Sequence, residues 1–546
     1  MLGGWAQRTQ MAWCVDFREL RLRLRFAWER SLFGSKCWLK DGRKGDVLRV
    51  PARAQEEGCH NSAAQPGLPL SGVRRSSSMQ VPPLISKWLD GWGVPLRRRT
   101  QDAAEAALAK QKVQRSSSSP MSLRVGTDCS GAEAPIWSLR TMQISHTHVF
   151  SSDVGKAPRL IIAANTKPRV FYDDLLKRKT ESTPAVDLYV AGFPCTPFSM
   201  LHNKTKLFKE KAAKPFFKMV QYLRRSDGPP AAVLENVTGI LRVKDRILRE
   251  LRSAGYSVVL LPMCPSHLGE PLARPRIYFL MVKSTFAKAT EKSMETVARS
   301  TWSSLKAGCS ASLSSRCLPR DHVEVRRVLA ARRAKFMEAK HRNFASRKQS
   351  PSWPARHRAF MASGGPAARA HRAMTTVARS YGSRCTADEL LLCNERERRV
   401  WSILTGSIRG HLTADLSQSI DRVNMRSDGK LSTVTPGSIM ASSELGRTII
   451  PVEKLMLHAF PVHRMVIPKE VTDKDMESLG GNTMHVMCVG VAISLVLKLV
   501  DWDKVRRLGG HAGTNSSVIN AVRSVKRKLA TQRFQKTKPQ KRSRWS

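Results

Sequence analysis

The sequence predicts an α/β fold whose core is a largely parallel sheet. Runs of strand length are apolar throughout rather than alternating, as in VDLYVAG (186–192) and PAAVLENV (230–237), the pattern of strands covered on both faces. Such runs also alternate with helical stretches, the order that parallel strands need for their crossovers.

Residues 1–120 stand outside this pattern. They mix Arg-rich pieces such as RELRLRLR (18–25) with Ser-rich ones, and 17–33 has the spacing of a basic amphipathic helix. The stretch lacks the apolar core of a secretory signal, although an Arg- and Ser-rich start leaves an organelle transit peptide as one reading. We read 1–120 as a basic, low-complexity, disordered extension, expected to be dispensable. Order begins at LRVGT (123–127), a strand, followed by the turn DCSGAEA and a helix opened by Pro135. A strand at 148–153, a helix from about Lys156 to Asn165 and a short strand at 171–175 come next. After the 186–192 strand, a helix at 213–225, a strand at 230–237, a helix at 243–255 closed by Gly255, and strands at 256–263 and 276–282 complete the first pass. From 284 the alternation gives way to a basic, Ser-rich segment with an Arg-rich helical piece at 325–342. It resumes near Leu412 and runs through a helix at 451–460 and the apolar stretch 480–497. A basic tail follows.

The charge balance is the dominant compositional fact. Against 43 Asp and Glu stand 93 Lys and Arg, a formal +50, which favours a polyanionic partner through counterion release. An anionic membrane surface is the competing reading, but no amphipathic anchor demands it. The longest apolar run, VMCVGVAISLVL (486–497), is too short to span a bilayer. Eleven cysteines include no CxxC pair, so zinc ligation is not expected, and free thiols suit a reducing compartment.

The most informative stretch is GFPCTPFS (192–199). The strand ends at Gly192, and Pro194 and Pro197 stiffen the loop that follows. Cys195 therefore sits past the carboxyl end of a core strand, where open α/β sheets place their ligand crevice. A cysteine held there is a candidate nucleophile; a small buried hydrophobe is the ordinary alternative. GFPCTPFS resembles the nucleophile loop of the cytosine-5 DNA methyltransferases. The similarity extends, in that family's motif order, over about 123–283 and 412–497. It implies a Rossmann-like, S-adenosyl-L-methionine-dependent methyltransferase fold with a small target-recognition insert and disordered basic extensions. The domains expected are 1–120, a catalytic first part at 121–283, a basic insert at 284–404 as target-recognition region, a catalytic C-terminal part at 405–500, and a basic tail at 501–546.

The resemblance also implies roles for particular residues. Cys195 matches the nucleophile that adds to C6 of cytosine, and Glu235 in LENV matches the acid that compensates charge at N3. Arg276 in ARPRIYFLMV (273–282) would bond O2 of the base, with Arg274 nearby stabilising the loop or the backbone. The family usually has Gln two positions before the first Arg, where this chain has Leu272. On the cofactor side the resemblance points to Asp128, Cys129 and Gly131 in DCSGA, to Asp153 for the ribose, to Asp174 (or Asp173) for the adenine, and to Phe193 and Pro194. Asn482 in GGN returns to the same pocket. Further glycines usual after the first are replaced here by Glu133 and Ala134. RTIIPVEKLMLHAFP (447–461) resembles the motif that organises the recognition region. The expected reaction is methyl transfer to C5 of a flipped cytosine in DNA. The rivals are a tRNA cytosine-5 methyltransferase, against which Ser199 in place of a Thr weighs, and a catalytically inactive nucleic-acid-binding descendant. KTKPQKRSR (536–544) reads as a nuclear-import signal, or else as a solvated tail.

Overall fold

The computed structural model describes residues 79–113, 122–199, 207–209, 211–341, 386–392, 394–407, 411–418 and 424–508, with a few positions between 355 and 362. The basic stretch 17–33 and the tail from Arg523 lie outside the described residues.

Seven strands form the main sheet: β1 (Leu123–Asp128), β2 (His146–Ser152), β3 (Val170–Tyr172), β4 (Leu188–Ala191), β5 (Ala231–Val237), β6 (Tyr256–Met263) and β7 (Arg276–Lys283). Their spatial order is β3-β2-β1-β4-β5-β7-β6. The first five run parallel, whereas β7 is antiparallel to both β5 and β6. This is an open, doubly wound Rossmann-like sheet with one reversed strand. The reversal has a direct consequence: β7 presents its amino end at the edge where β1, β2, β4 and β5 present their carboxyl ends. Arg276 thus faces Val237 in register, and Tyr278 faces Glu235.

Both faces are covered, as the apolar runs require. Along β4, Leu188 and Val190 point into one core while Tyr189 and Ala191 point into the other. The first layer contains α1 (Pro83–Gly91), α2 (Gly93–Lys110), α3 (Ala134–Thr141) and, further along the chain, the long apolar helix. The opposite layer contains α5 (Lys214–Leu223) and α6 (Lys244–Ser253), while α4 (Lys156–Asn165) follows β2. Three later helices complete the frame: α7 (Glu291–Ser304), which packs on β6, α8 (Val323–His341) and α9 (Glu395–Ser407). A second, four-stranded antiparallel sheet comprises β8 (Thr413–Asp415), β9 (Met425–Arg426), β10 (Met440–Ser442) and β11 (Arg447–Thr448). It shares a small core with α9, centred on fully buried Trp401. The chain then returns through α10 (Pro451–Met456), α11 (Asp473–Asn482), α12 (Val486–Leu499) and α13 (Trp502–Arg507).

Three sequence expectations are corrected here. Residues 83–110 are not a disordered extension. They form α1 and α2, and Ile85, Leu89, Leu96, Ala104, Ala107 and Leu108 enter the main core. A stretch with only scattered apolar residues folds because α12, apolar on every side, needs cover; α2 supplies it, and Lys498 pairs with Glu105 between the two helices. The insert does not begin at 284 either, since α7 belongs to the layer on the main sheet. Nor does it end at 404: the small sheet lies at 413–448, inside the stretch assigned to the catalytic C-terminal part. Within 473–499 the most apolar stretch is 89% buried inside the protein, so packing accounts for it without a membrane.

The packing of α2 generates a prediction. Leu96→Ala removes side-chain volume from a fully formed core and should lower unfolding stability by about 3 kcal/mol, read as a shifted midpoint in urea. Deletion of residues 1–110 should give an unstable or insoluble product, contrary to the dispensability expected from sequence.

Candidate active site

The carboxyl edge of the main sheet gathers the site. Cys195 begins a single 3₁₀ turn, Thr196–Phe198, just after β4. Two side chains from the next strand connection hold that loop: Asn236 donates from Nδ2 to the Phe193 carbonyl (3.0 Å), and Arg242 donates to the Phe198 carbonyl (2.9 Å). The rings of Phe193 and Phe198 stack edge-on and join Phe216 below the loop. Phe193 is therefore anchored in the core, and it offers a ligand only backbone. Pro194, half-buried, lies at the lip.

Glu235 lies near the end of β5, buried, with Arg276 Nε 3.1 Å from its Oε1. Burial raises the Glu235 pKa, and Arg276 and Arg274 partly offset this. The same three groups act on Cys195: burial lifts its thiol pKa, Arg276 and Arg274 lower it, and Glu235 raises it. A thiol, a carboxyl group and a guanidinium thus meet at one place, which gives a nucleophile, a proton donor and a hydrogen-bond donor to one planar ring.

Arg274 is different. Its guanidinium is buried and donates to the carbonyls of Val434 (2.6 Å), Gly481 (3.0 Å) and Thr483 (2.8 Å). Burial and the neighbouring Arg276 depress its pKa to about 9. With both terminal nitrogens bonded to backbone carbonyls, Arg274 is a positioning residue, in keeping with the expectation that it stabilises the loop or the backbone, and it is not a catalytic residue. The contact to the Gly481 carbonyl is possible because the backbone there is tightly packed: a Cβ on Gly481 would stand 2.1 Å from the Pro436 nitrogen.

The cofactor edge is also only partly as expected. Gly131 adopts φ +55°, and a Cβ there would meet nothing within 4 Å, so open space lies over the turn. Asp153 accepts from the Gly131 N–H (2.9 Å) and from the Gly155 N–H (2.8 Å), joining the end of β2 to that turn. Cys129, half-buried, feels both Asp153 and Asp174. Asp174 is half-buried and Asp173 is an exposed partner of Arg159, so Asp174 is the better placed of the two. Asn482 is exposed at the end of α11, where its amide donates to the Ser478 hydroxyl of its own helix. Asp128, by contrast, is fully buried. Arg178 grips both its oxygens (2.7 and 2.8 Å) and the Tyr189 hydroxyl donates to one of them (2.6 Å). Burial opposes the Arg178 charge, but Asp128 and Tyr189 hold its pKa above the ordinary arginine value. Asp128 is spent inside the fold and is not a ligand group. Sequence reasoning missed Arg178 because it lies in the basic run KRK, where nothing marks one cation as buried.

Among the described residues no cluster of His, Cys, Asp and Glu could hold a metal ion. Cys309 is exposed, Cys317 lies in a small apolar core with Leu272, and the His322 ring meets the Gln80 carbonyl. The 447–461 motif is structural: Arg447 forms a buried bidentate pair with Glu453 (2.8 and 2.6 Å).

Comparison with known proteins adds the following. Residues 130–489 match the model of the C-5 cytosine-specific DNA methylase family. The Type II methyltransferase M.BanI of Aneurinibacillus aneurinilyticus is 33% identical over 147 residues, 26% of this chain and 33% of that protein. The DNA (cytosine-5-)-methyltransferase DMT5 of Cryptococcus neoformans var. grubii is 24% identical over 421 residues, 69% of this chain and 17% of that protein. The chain thus aligns with about a third or less of the length of these relatives. Among solved structures, S. pombe Dnmt2 methyltransferase aligns over 69% of this chain and 98% of its own, at 15% identity and a TM-score of 0.41.

The two arginines should separate experimentally. Arg274→Ala leaves three buried carbonyls without a donor and should cost about 3 kcal/mol of stability. Arg276→Ala should leave the denaturation midpoint much closer to wild type. Parallel urea titrations check both.

Proposed function

The chain belongs to the C-5 cytosine-specific DNA methylase family, and from that premise we propose that it methylates C5 of cytosine in DNA through a covalent Cys195 adduct. The observation that carries this reading is the convergence of Cys195, Glu235 and Arg276 on the sheet edge beside the open Gly131 turn. S-adenosyl-L-methionine, when bound, would supply an electrophilic methyl on its sulfonium. The residues present suit it: open space over Gly131, the Asp153 carboxylate for ribose hydroxyls, Asp174 for the adenine amino group, and the exposed side chain of Asn482.

The chemistry follows from the groups. C5 of cytosine is a poor nucleophile until a thiolate adds at C6. Cys195 forms that S–C6 bond, and the ring electrons displaced toward N3 are met by a proton from Glu235, while Arg276 hydrogen-bonds O2. C5 then takes the methyl, and the donor leaves as S-adenosyl-L-homocysteine. Water takes the C5 proton, the Cys195 thiolate departs as the C5–C6 double bond reforms, and N3 returns its proton to Glu235, which restores the ring. The thiol reaches C6 only on a base turned out of the stack, which a duplex-binding protein must allow. The large positive charge suits that partner. We further propose a nuclear place of work, from the basic tail alone.

Cys195→Ser should reduce methyl transfer to duplex DNA by about 10³-fold or more while leaving DNA binding intact. DNA bearing 5-fluorocytosine should trap the wild type covalently, because fluorine cannot leave as a proton does. Since burial raises the thiol pKa, the trapping rate should keep rising between about pH 6.5 and 8.5 as the thiolate fraction grows. Transfer to tRNA but not to duplex DNA would overturn the substrate assignment, and unimpaired transfer by the Ser variant would overturn the mechanism. The tail fused to an inert reporter should carry it into a nucleus; a reporter that stays outside would remove the nuclear assignment.

A further inference from the structure

The turn between β1 and α3 is unusual in its backbone. Three of five consecutive residues are left-handed: Cys129 at φ +49°, Gly131 at +55° and Glu133 at +62°. Two of these carry a Cβ, which this conformation disfavours. A turn of this kind persists only where its surroundings hold it.

Glu133 is held from below. Its side chain is fully buried, and its Oε1 accepts from the hydroxyls of Thr127 (2.8 Å) and Ser151 (2.5 Å). Ser130, inside the same turn, donates to Thr127 (3.0 Å) or to the Ser152 carbonyl (3.2 Å) and lies 2.9 Å from the Ser151 hydroxyl. His148 Nε2 stands 3.5 Å from Oε1. Glu133 Oε2 and His148 Nδ1 are buried with no hydrogen-bond partner among the described residues. One carboxyl group thus ties the turn to the end of β1 and to β2, beneath the face on which Asp153 ties Gly131 to β2. A glycine at this position would satisfy the backbone angle and make none of these bonds.

We infer that Glu133 is a positioning residue, a buried latch that fixes the 129–133 turn against β2 and so sets the affinity for the methyl donor. The inference rests on the reading of this edge as a methyl-donor site. Glu133 reaches the ligand only through the turn. Burial lifts its pKa to about 7, against the hydrogen bonds from Ser151 and Thr127, so glutamine is a close mimic of the protonated form.

The test compares Glu133→Gln, Glu133→Gly and Glu133→Ala with the wild type, using S-adenosyl-L-methionine as the probe. Glutamine keeps the acceptor and should bind within about threefold of wild type, whereas alanine and glycine should weaken binding by about tenfold, the worth of one hydrogen bond. Turnover at saturating methyl donor should change far less than the dissociation constant. Amide hydrogen exchange at 130–134 in the free protein should quicken in the glycine and alanine variants and stay slow in the glutamine one. If the glycine variant binds as tightly as wild type and exchanges as slowly, the latch is overturned, because backbone freedom alone then suffices. Should Glu133→Ala fail to fold, Thr127→Val removes one donor and must show the same faster exchange. The exchange measurement decides on the latch without ligand. An absence of methyl-donor binding by the wild type would instead strike the reading of the site.

Discussion

Three buried hydrogen bonds from one guanidinium hold the catalytic face together. Arg274 joins the loop before β7 to the β9–β10 connection at Val434 and to the α11–α12 turn at Gly481 and Thr483. These partners lie 160 to 209 residues beyond Arg274 in sequence. Carbonyls so placed, away from water, need a donor. A guanidinium supplies several in one plane, where a lysine would supply a single point charge. The cost is a desolvated cation, visible in its lowered pKa. What it secures is the position of Arg276 two residues on, where Glu235 takes up the charge.

The cofactor edge solves the same problem with other groups. Asp128 is closed off by Arg178 and Tyr189, and the Arg178 cation lies over the rings of Phe150, Tyr172 and Tyr222. Breaking such a pair by removing one partner would strand the other charge. The end of β1 is thereby fixed, and the turn above it can expose Gly131 and Asp153 to a ligand. Polar groups that look like ligands in the sequence are in part the scaffold that keeps the half-buried groups of the turn in place.

This explains what was legible in the sequence and what was not. Strands β4 to β7 of the main sheet announce themselves by apolar runs, and the helix at Lys156–Asn165 is found to the residue. Cys195, Glu235 and Arg276 stand in motifs whose order fixes their meeting. The direction of β7 could not be read, since an apolar strand has the same composition in either sense. Nor could the fold of α1 and α2: their apolar residues are few, and their stability comes from the main core they enter, α2 covering a face of α12. The difference between Arg274 and Arg276 is also invisible in sequence. They sit two apart before and at the start of β7, and only the return of the chain from the second sheet decides which of them becomes buried.

The β9–β10 connection also accounts for Leu272, which stands where the family usually has a glutamine. Leu272 is fully buried with Leu431 in a small apolar core, and the two residues form a parallel bridge. Ala273 donates its N–H to the Leu431 carbonyl (2.7 Å), Leu431 donates to the Pro271 carbonyl (2.8 Å), and the Thr433 hydroxyl donates to the Ala273 carbonyl (2.9 Å). Just upstream, buried Glu270 is held by Arg316 and by the indole N–H of Trp88 from α1. Backbone pairing on one side and an N-terminal helix on the other thus fix the loop that presents the arginines. With its main chain held in this way the loop has little need of a polar side chain at position 272, and an apolar residue that seals the junction serves it better.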